Sequence, residues 1–188
     1  MYQSFKELYE TVMHCTACRL SEKRTNVVFG EGNLHADIMF IGEGPGARED
    51  ETGRPFVGAA GQLLDKMLND IGLARKDVFI GNTVKCRPPG NRDPKPDERE
   101  ACIGYLRAQV AFIKPKLIVC LGRIAAGVIL GREVRMMREH GQIFDVKKFL
   151  IMPTFHPAAL LHNPDNAQYA REDFQLLKSK LEELKHDT

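Results

Sequence analysis

Four cysteines in this sequence have a spacing that suits a metal centre. Cys15 and Cys18 form a C-x2-C pair, whereas fifteen residues separate Cys86 from Cys102. Zinc sites usually combine two close pairs, so the wide second spacing favours an iron-sulfur cluster held by four thiolates, with zinc or unrelated thiols as alternatives. We expect Cys102 in the first turn of a helix capped by Asp97, where the helix dipole favours a thiolate.

The fifth cysteine and the rest of the chain bear on where such a centre would form. Cys120 lies inside the apolar run 117–121 and is predicted to be an inert core residue. The first fifteen residues contain acids and no apolar run, and no stretch of about 18 apolar residues occurs, so we expect neither a targeting peptide nor a membrane span. These features predict a cytoplasmic protein, in which cysteines more often hold metal than form disulfides.

Length and charge leave room for one folded domain with a mixed surface. The 188 residues, 43% of them hydrophobic, predict a single domain over 1–188. The net charge of +2 does not by itself indicate a polyanionic partner. Basic residues nevertheless gather in three segments that are typical of loops, either as phosphate contacts or as ordinary solvated charge: Arg19, Lys23 and Arg24; Lys85, Arg87, Arg92 and Lys95; Arg132, Arg135 and Arg138.

Alternating strands and helices must position these residues. Ser4 and Glu7 form a capping-box pattern that predicts a first helix to about residue 14. Short apolar runs predict buried strands at 37–41, 78–80, 117–121 and 149–152, and the segments between them have helical periodicity. A last helix is predicted after residue 165. The alternation predicts an α/β fold whose parallel sheet is covered on both faces.

Polar residues follow three of the predicted strands at the point where each strand ends. Ligands bind outside the carboxyl ends of parallel strands, which makes these segments the candidate site. They carry Glu43 in Gly42-Glu43-Gly44-Pro45-Gly46, Asn82 in Gly81-Asn82-Thr83, and His156 in Pro153-Thr154-Phe155-His156-Pro157. By position alone, an ordinary turn or surface role is at least as common for such residues.

Three ordered motifs then resemble those of the family 4, iron-sulfur, uracil-DNA glycosylases. They are Gly42-Glu43-Gly44-Pro45-Gly46 with Glu49 and Thr52-Gly53-Arg54-Pro55-Phe56-Val57-Gly58; Asn82-Thr83-Val84-Lys85-Cys86-Arg87-Pro88-Pro89; and Phe155-His156-Pro157-Ala158-Ala159-Leu160-Leu161. The resemblance covers nearly the whole chain. It implies a three-layer α/β/α fold with a central four-stranded parallel sheet, and a structural 4Fe-4S cluster on Cys15, Cys18, Cys86 and Cys102, with no nucleotide cofactor.

The resemblance also implies a role for each motif residue. A flipped uracil would occupy a pocket of Gly42, Glu43, Gly44, Phe56, Asn82 and His156, with Phe56 stacking on the ring and Asn82 reading N3–H and O4. His156 would donate to uracil O2, and Glu43 or Glu49 would orient water or stabilise the sugar cation. Leu160 and Leu161, expected on a surface loop, would wedge into the base stack unless they pack a short helix.

The resemblance further implies a substrate, a product and partners. The expected activity is hydrolysis of uracil from single- or double-stranded DNA by a monomer, which leaves an abasic site for downstream repair enzymes. His162 stands where Arg is common in this family, and no Lys-Arg-Arg-Ile-His insertion, the mark of covalent DNA trapping, is present. The alternatives are a family 5-like glycosylase with broader substrates and a noncatalytic iron-sulfur module that binds DNA.

Overall fold

A mixed sheet of six strands forms the centre of the computed structural model, which describes residues 1–186. The predicted domain, 1–188, therefore includes two residues outside the described part. The strands are β1 (Glu31–Gly32), β2 (Ile38–Gly42), β3 (Phe79–Asn82), β4 (Leu117–Leu121), β5 (Phe144–Asp145) and β6 (Leu150–Thr154). Their spatial order is β1-β3-β2-β4-β6-β5.

The predicted α/β class is confirmed, but the predicted number of strands is wrong. Strands β3, β2, β4 and β6 run parallel, as expected, and each coincides with a predicted apolar run. Two further strands, β1 and β5, pair antiparallel at the two edges. Each of them has only two residues, which is too short for any hydrophobic periodicity to develop in the sequence. They cover the edges of an otherwise parallel sheet.

Eight α-helices complete the described part of the chain. They are α1 (Phe5–Met13), α2 (Ala47–Thr52), α3 (Ala59–Asp70), α4 (Pro96–Ile113), α5 (Arg123–Leu130), α6 (Met136–Glu139), α7 (Pro157–His162) and α8 (Ala167–His186). The predicted start of α1 is confirmed, because the Ser4 hydroxyl accepts a hydrogen bond from the Glu7 amide at 3.1 Å. Within residues 1–186, no helix has the length and apolar character to cross a membrane.

The helices cover both faces of the sheet. One face packs against α3 and α8 around Phe40, Leu64 and Phe174, and the other packs against α4 and α5 around Met39, Leu106 and Ala125. A third apolar cluster places α1 against α4 and includes Cys86 and Cys102. The chain thus has the predicted α/β/α layers, with α1 as an additional cover beside the cysteines.

Helix α4 begins earlier than the sequence indicated. Its N-cap is Lys95, Pro96 is the first helical residue, and Asp97 lies in the first turn. The Glu98 carboxylate accepts from the Lys95 amide at 2.8 Å, so the helix begins before Asp97, and the predicted role of Asp97 as its cap is wrong. Cys102 is therefore in the second turn, and the prediction of a thiolate favoured by the helix dipole is wrong because that effect fades beyond the first turn.

Candidate active site

A cleft of about 430 Å³ opens at the carboxyl ends of the parallel strands. Register places Gly42, the last residue of β2, opposite Asn82, the last residue of β3. The cleft is lined by six of the residues singled out from the sequence: Glu43, Gly44, Glu49, Phe56, Asn82 and His156. The rule that ligands bind where parallel strands end thus brings together side chains that are far apart in the chain.

Asn82 presents an unused hydrogen-bond acceptor to this cleft. Its side chain is 1% exposed, and its Oδ1 atom has no hydrogen-bond partner among residues 1–186. A Cβ atom on Gly42 would lie 2.6 Å from that oxygen and 2.6 Å from Phe56 Cζ, so only glycine allows both side chains to approach. A buried acceptor without a partner is costly, which indicates that a ligand donor completes it.

Phe56 and His156 form the aromatic part of the cleft. Their rings stack with centroids 5.4 Å apart and planes inclined by 30°. Phe56 has a φ of 50°, a left-handed conformation that costs energy for a residue with a side chain. Arg75 holds it there by donating to the carbonyls of Pro55 at 2.6 Å and Phe56 at 2.9 Å. Sequence reasoning missed Arg75, since nothing in the chain marks which distant carbonyls an arginine will bind.

The proton of His156 is assigned by its surroundings. His156 is the N-cap of helix α7, and its Nδ1 atom accepts a hydrogen bond from the Ala158 amide at 3.0 Å. Burial lowers the pKa of His156 to about 4, against a smaller opposing effect of Glu49, so the ring is neutral at pH 7. A neutral imidazole whose Nδ1 accepts must carry its proton on Nε2. His156 therefore offers an N–H donor.

The two candidate carboxylates have different surroundings. Glu49 Oε1 accepts hydrogen bonds from the amides of Val57 and Gly58, both at 3.1 Å, and thereby holds the loop that carries Phe56 at the start of α3. Glu43 makes no such contact with the loop. Burial, and then the charge of the neighbouring Asp93, raise the pKa of Glu43 to about 7. The Glu43 carboxylate is thus poised to exchange a proton near neutral pH.

The two predicted wedge residues lie in different environments. Leu160 and Leu161 belong to α7 rather than to the expected surface loop. Leu160 is 4% exposed and packs in the main core, so the prediction that it enters the base stack is wrong, because core packing buries its side chain. Leu161 is 50% exposed, beside His162 at the rim of the cleft.

Four cysteines line one small cavity between α1, α4 and the segment after β3. They are Cys15, Cys18, Cys86 and Cys102, the four predicted ligands, whereas Cys120 is fully buried in the core as expected. Burial raises the pKa of the Cys102 thiol to about 11 and also raises that of Cys86. Among residues 1–186, no three His, Cys, Asp or Glu side chains lie close enough together to hold one metal ion in their present conformations. The shared cavity is what relates the four thiols to one another.

Hydrogen-bond donors contact two of the sulfur atoms that line this cavity. Arg24 donates to Cys86 Sγ at 3.3 Å and to the Cys15 carbonyl at 2.6 Å, and the Tyr105 hydroxyl donates to Cys15 Sγ at 3.0 Å. Donors aimed at sulfur stabilise negative charge there, and they are typical of the surroundings of thiolate-bound clusters. The chemistry of the four thiols and these donors therefore fits an iron-sulfur cluster.

Several basic residues predicted to contact phosphates have other partners. Lys85 is 1% exposed, and Arg24 binds the cysteine segment. Arg92 donates two hydrogen bonds to the buried Glu98 carboxylate, and Arg132 pairs with Glu139 at 2.6 Å. The prediction is wrong for Lys85, because a fully buried side chain cannot reach DNA.

The segment 87–97, which runs from the loop after β3 into the first turn of α4, contributes cleft residues that lie outside the three motifs. Asn91, Arg92 and Asp93 line the cleft. The bidentate Arg92 contact lowers the pKa of Glu98 to about 2 and fixes the segment against the start of α4. The length and proline content of the segment were the available signal, because long loops that stay ordered in compact domains are often functional.

Comparisons with known proteins agree with this fold and cleft. A family model described as the Uracil DNA glycosylase superfamily matches residues 29–179, which include the whole sheet and every cleft residue. A type-4 uracil-DNA glycosylase from Thermotoga maritima is 49% identical over 90% of this chain and 91% of its own length. Another, from Sulfurisphaera tokodaii, is 45% identical over 93% of this chain and 84% of its own. A type-5 uracil-DNA glycosylase from Pyrobaculum aerophilum is 32% identical over 69% of this chain and 64% of its own.

The fold and the cleft thus define a member of the uracil-DNA glycosylase superfamily. Within that superfamily, the chain belongs to the type-4 uracil-DNA glycosylases. The resemblance seen in the three sequence motifs is confirmed.

Proposed function

We propose that this protein is a DNA-repair glycosylase that hydrolyses the bond between uracil and deoxyribose and leaves an abasic site. The observation that carries this proposal is the pairing of two polar groups in one cleft: the partnerless acceptor Asn82 Oδ1 and the Nε2 donor of His156. Uracil offers a matching N3–H donor and O2 acceptor. The type-4 uracil-DNA glycosylases that match this chain over 90% or more of its length support the same activity.

Recognition would begin when the nucleotide leaves the base stack, at a cost of a few kcal/mol. Leu161, which is exposed and precedes the cleft residue His162, is our candidate for the side chain that fills the gap. Phe56 would stack on the ring, Asn82 Oδ1 would accept from N3–H, and the Asn82 amide would donate to O4. Cytosine has an acceptor at N3 and a donor at C4, so in this orientation of the Asn82 amide both contacts would be lost.

Cleavage places charge where the chain can stabilise it. As the C1′–N1 bond breaks, its electron pair moves into the uracil ring and accumulates on O2, where the Nε2–H of His156 would donate. The sugar becomes cationic, and a carboxylate beside it is stabilising. We assign to Glu43 the orientation of the water that attacks C1′ and the acceptance of its proton, and to Glu49 the positioning of the Phe56 loop.

The assignment of Glu43 predicts a particular dependence of rate on pH. Only the ionised carboxylate can accept the proton, so the single-turnover rate should rise as pH increases through about 7, the raised pKa of Glu43. Glu43→Gln should remove this rise and lower the rate at pH 8 by about 10²-fold to 10⁴-fold. Rates measured from pH 5 to 9 on a uracil oligonucleotide check it.

Glu49→Gln is the matched control for that experiment. A glutamine Oε1 can still accept from the amides of Val57 and Gly58, so the loop keeps its two hydrogen bonds. The Glu49→Gln variant should retain the rise near pH 7. The opposite pattern, in which only Glu49→Gln flattens the profile, would exchange the roles of the two carboxylates.

We propose that Cys15, Cys18, Cys86 and Cys102 hold a 4Fe-4S cluster. When bound, it would supply a covalent cross-link between the end of α1, the segment after β3 and α4, and it would have a structural role. The sulfur-directed donors Arg24 and Tyr105 support this proposal. The cluster would anchor one end of the segment 87–97, whose central residues line the cleft.

Loss of one proposed ligand should have a visible effect. Cys86→Ala should lose most of the iron, the inorganic sulfide and the brown colour, and should unfold at a lower temperature, because a metal site stabilises the folded state by its binding free energy. Iron and sulfide assays and thermal unfolding check this. Cys120→Ala is the control, since its thiol lies in the core and should leave the iron content unchanged. Zinc in place of iron in the purified protein would contradict the cluster.

The activity itself is tested with oligonucleotides that differ at one base. Protein purified without oxygen is incubated with single- and double-stranded DNA that carries one uracil, thymine, cytosine or hypoxanthine, and abasic sites are then cleaved with alkali. Breaks confined to the uracil strands are the expected result. Breaks at hypoxanthine would indicate the broader substrates of a family 5-like enzyme, and folded protein that binds DNA without producing breaks would indicate a noncatalytic module.

The product of the reaction implies further partners. An abasic site is reactive and needs further processing, so we propose that repair enzymes acting on abasic sites take over the DNA.

We also propose that the protein acts as a monomer and turns over, because the cleft of a single chain contains every group that the reaction requires.

A further inference from the structure

A buried lysine lies directly behind the residue that we propose reads uracil. Lys85 is 1% exposed and is among the largest fully buried side chains of the described residues. Burial of a lysine is expensive unless its ammonium group has well-placed acceptors. The reaction described above makes no use of Lys85, and its depth excludes contact with DNA.

The contacts of Lys85 join the end of β3 to helix α4. Its Nζ atom donates to the main-chain carbonyl of Asn82 at 2.9 Å and to Gln109 Oε1 at 2.7 Å. Gln109, which is completely buried in α4, donates in turn from Nε2 to the Phe29 carbonyl at 2.8 Å. The Gln109 side chain can have only one orientation here, because its oxygen faces the lysine and its nitrogen faces a carbonyl.

These contacts bear on Asn82 because its main chain carries the amide that would read uracil. Among the described residues Asn82 Oδ1 has no hydrogen-bond partner, so the direction of the amide depends on where the main chain of Asn82 lies. Asn82 is the last residue of β3, and beyond it the Thr83 amide still donates to the Gly42 carbonyl at 2.9 Å. The Lys85 ammonium fixes the Asn82 carbonyl at this point.

We propose that Lys85, oriented by Gln109, is a positioning residue for uracil recognition. It holds the main chain of Asn82 so that the side-chain amide meets the N3 and O4 edge of the base. Lys85 also precedes Cys86, and Gln109 lies two helical turns beyond Cys102, so the same contacts connect the cysteine cavity to the cleft. This inference rests on the proposed function, in which Asn82 reads uracil.

A double-mutant cycle between Lys85 and Asn82 tests the inference. Lys85→Met keeps the length of the side chain and removes its donors. The single-turnover rate on uracil DNA should fall by about 10-fold to 100-fold, since a misplacement of about 1 Å has effects of this size. Affinity for DNA that already carries an abasic site should stay within about twofold, because that DNA presents no base to Asn82. A lower rate with unchanged affinity distinguishes a positioning role from a general loss of structure.

The cycle itself gives the decisive comparison. If Lys85 acts through Asn82, the double variant Asn82→Ala with Lys85→Met should be within about twofold of Asn82→Ala alone. Rate losses that multiply would overturn the proposal. A wild-type protein that releases no uracil would instead overturn the proposed function, so the two failures are distinguishable.

Two further variants keep the test independent of folding. Gln109→Leu removes the partner that orients Lys85 and should show the same split between rate and affinity, even if Lys85→Met does not fold. Ile113→Ala, one turn further along α4, removes a buried side chain from the core between the sheet and α4. It should lower the unfolding temperature and leave the rate of uracil release unchanged. A Gln109→Leu variant with the wild-type rate would contradict the proposal.

Discussion

Replacement of His156 by alanine is expected to slow the release of uracil by about 10²-fold to 10³-fold in single-turnover measurements. The neutral ring offers its Nε2–H to the uracil oxygen on which charge develops, and the protein supplies this donor without any reorganisation. A loss of this size corresponds to about 3 to 4 kcal/mol of transition-state stabilisation. Affinity for uracil DNA should change far less, because the interaction strengthens only as the bond breaks.

His156→Asn is the matched control for stability. An asparagine side chain can place Oδ1 where His156 Nδ1 now accepts from the Ala158 amide, and asparagine is a favourable residue at a helix N-cap. It lacks a group that reaches the position of Nε2. The asparagine variant should therefore unfold at the wild-type temperature and still be nearly as slow as the alanine variant. A fast and stable His156→Asn variant would show that the Nε2 donor is not required.

The parallel part of the sheet was predictable because each strand is a continuous apolar run. Strand β4, Leu117–Leu121, is buried along its whole length and coincides with the predicted range. The edge strands β1 and β5 form because a neighbouring strand is available for pairing, and two residues carry no pattern of their own. Fold class follows from local sequence, whereas the sheet edges depend on long-range contacts.

The candidate site also has a part that was predictable from the sequence and a part that was not. The placement of Asn82 and His156 in the cleft was predictable because each lies at or just after the end of a strand, where ligands bind in parallel sheets. The depth of Lys85 was not, because its acceptor Gln109 is 24 residues away, in another element. Leu160 and Leu161 are neighbours of the same type, yet only Leu160 contacts the core. Which of two adjacent leucines is exposed depends on the direction of α7, which the motif does not specify.

Replacement of Asn82 by alanine is expected to separate activity from stability. The rate of uracil release should fall by about 10²-fold to 10³-fold, since the variant can neither accept from N3–H nor donate to O4. The rate on cytosine should change far less than the rate on uracil, so discrimination between the two bases should decrease. Rates on matched uracil and cytosine oligonucleotides, together with the free energy of unfolding, check both parts.

The effect of Asn82→Ala on stability should differ from that of truncating an ordinary buried side chain. In the free protein Asn82 Oδ1 is a buried acceptor without a partner, so its removal relieves a desolvation cost rather than breaking a hydrogen bond. The free energy of unfolding should stay the same or increase. Asn33→Ala is the control, because the Asn33 Oδ1 atom accepts from the His35 amide at 2.8 Å, away from the cleft. That variant should lose stability and keep its discrimination between uracil and cytosine.

A destabilised Asn82→Ala protein would mean that the amide is a structural group with a partner inside the fold. A stable variant with the wild-type rate would mean that the acceptor has no role in binding the base. The expected combination, slow and at least as stable, has one physical explanation: the folded protein keeps a buried polar group uncompensated until the substrate supplies its partner. A base that cannot supply a donor leaves Asn82 Oδ1 buried and unpaired in the complex as well, and the cleft therefore rejects it.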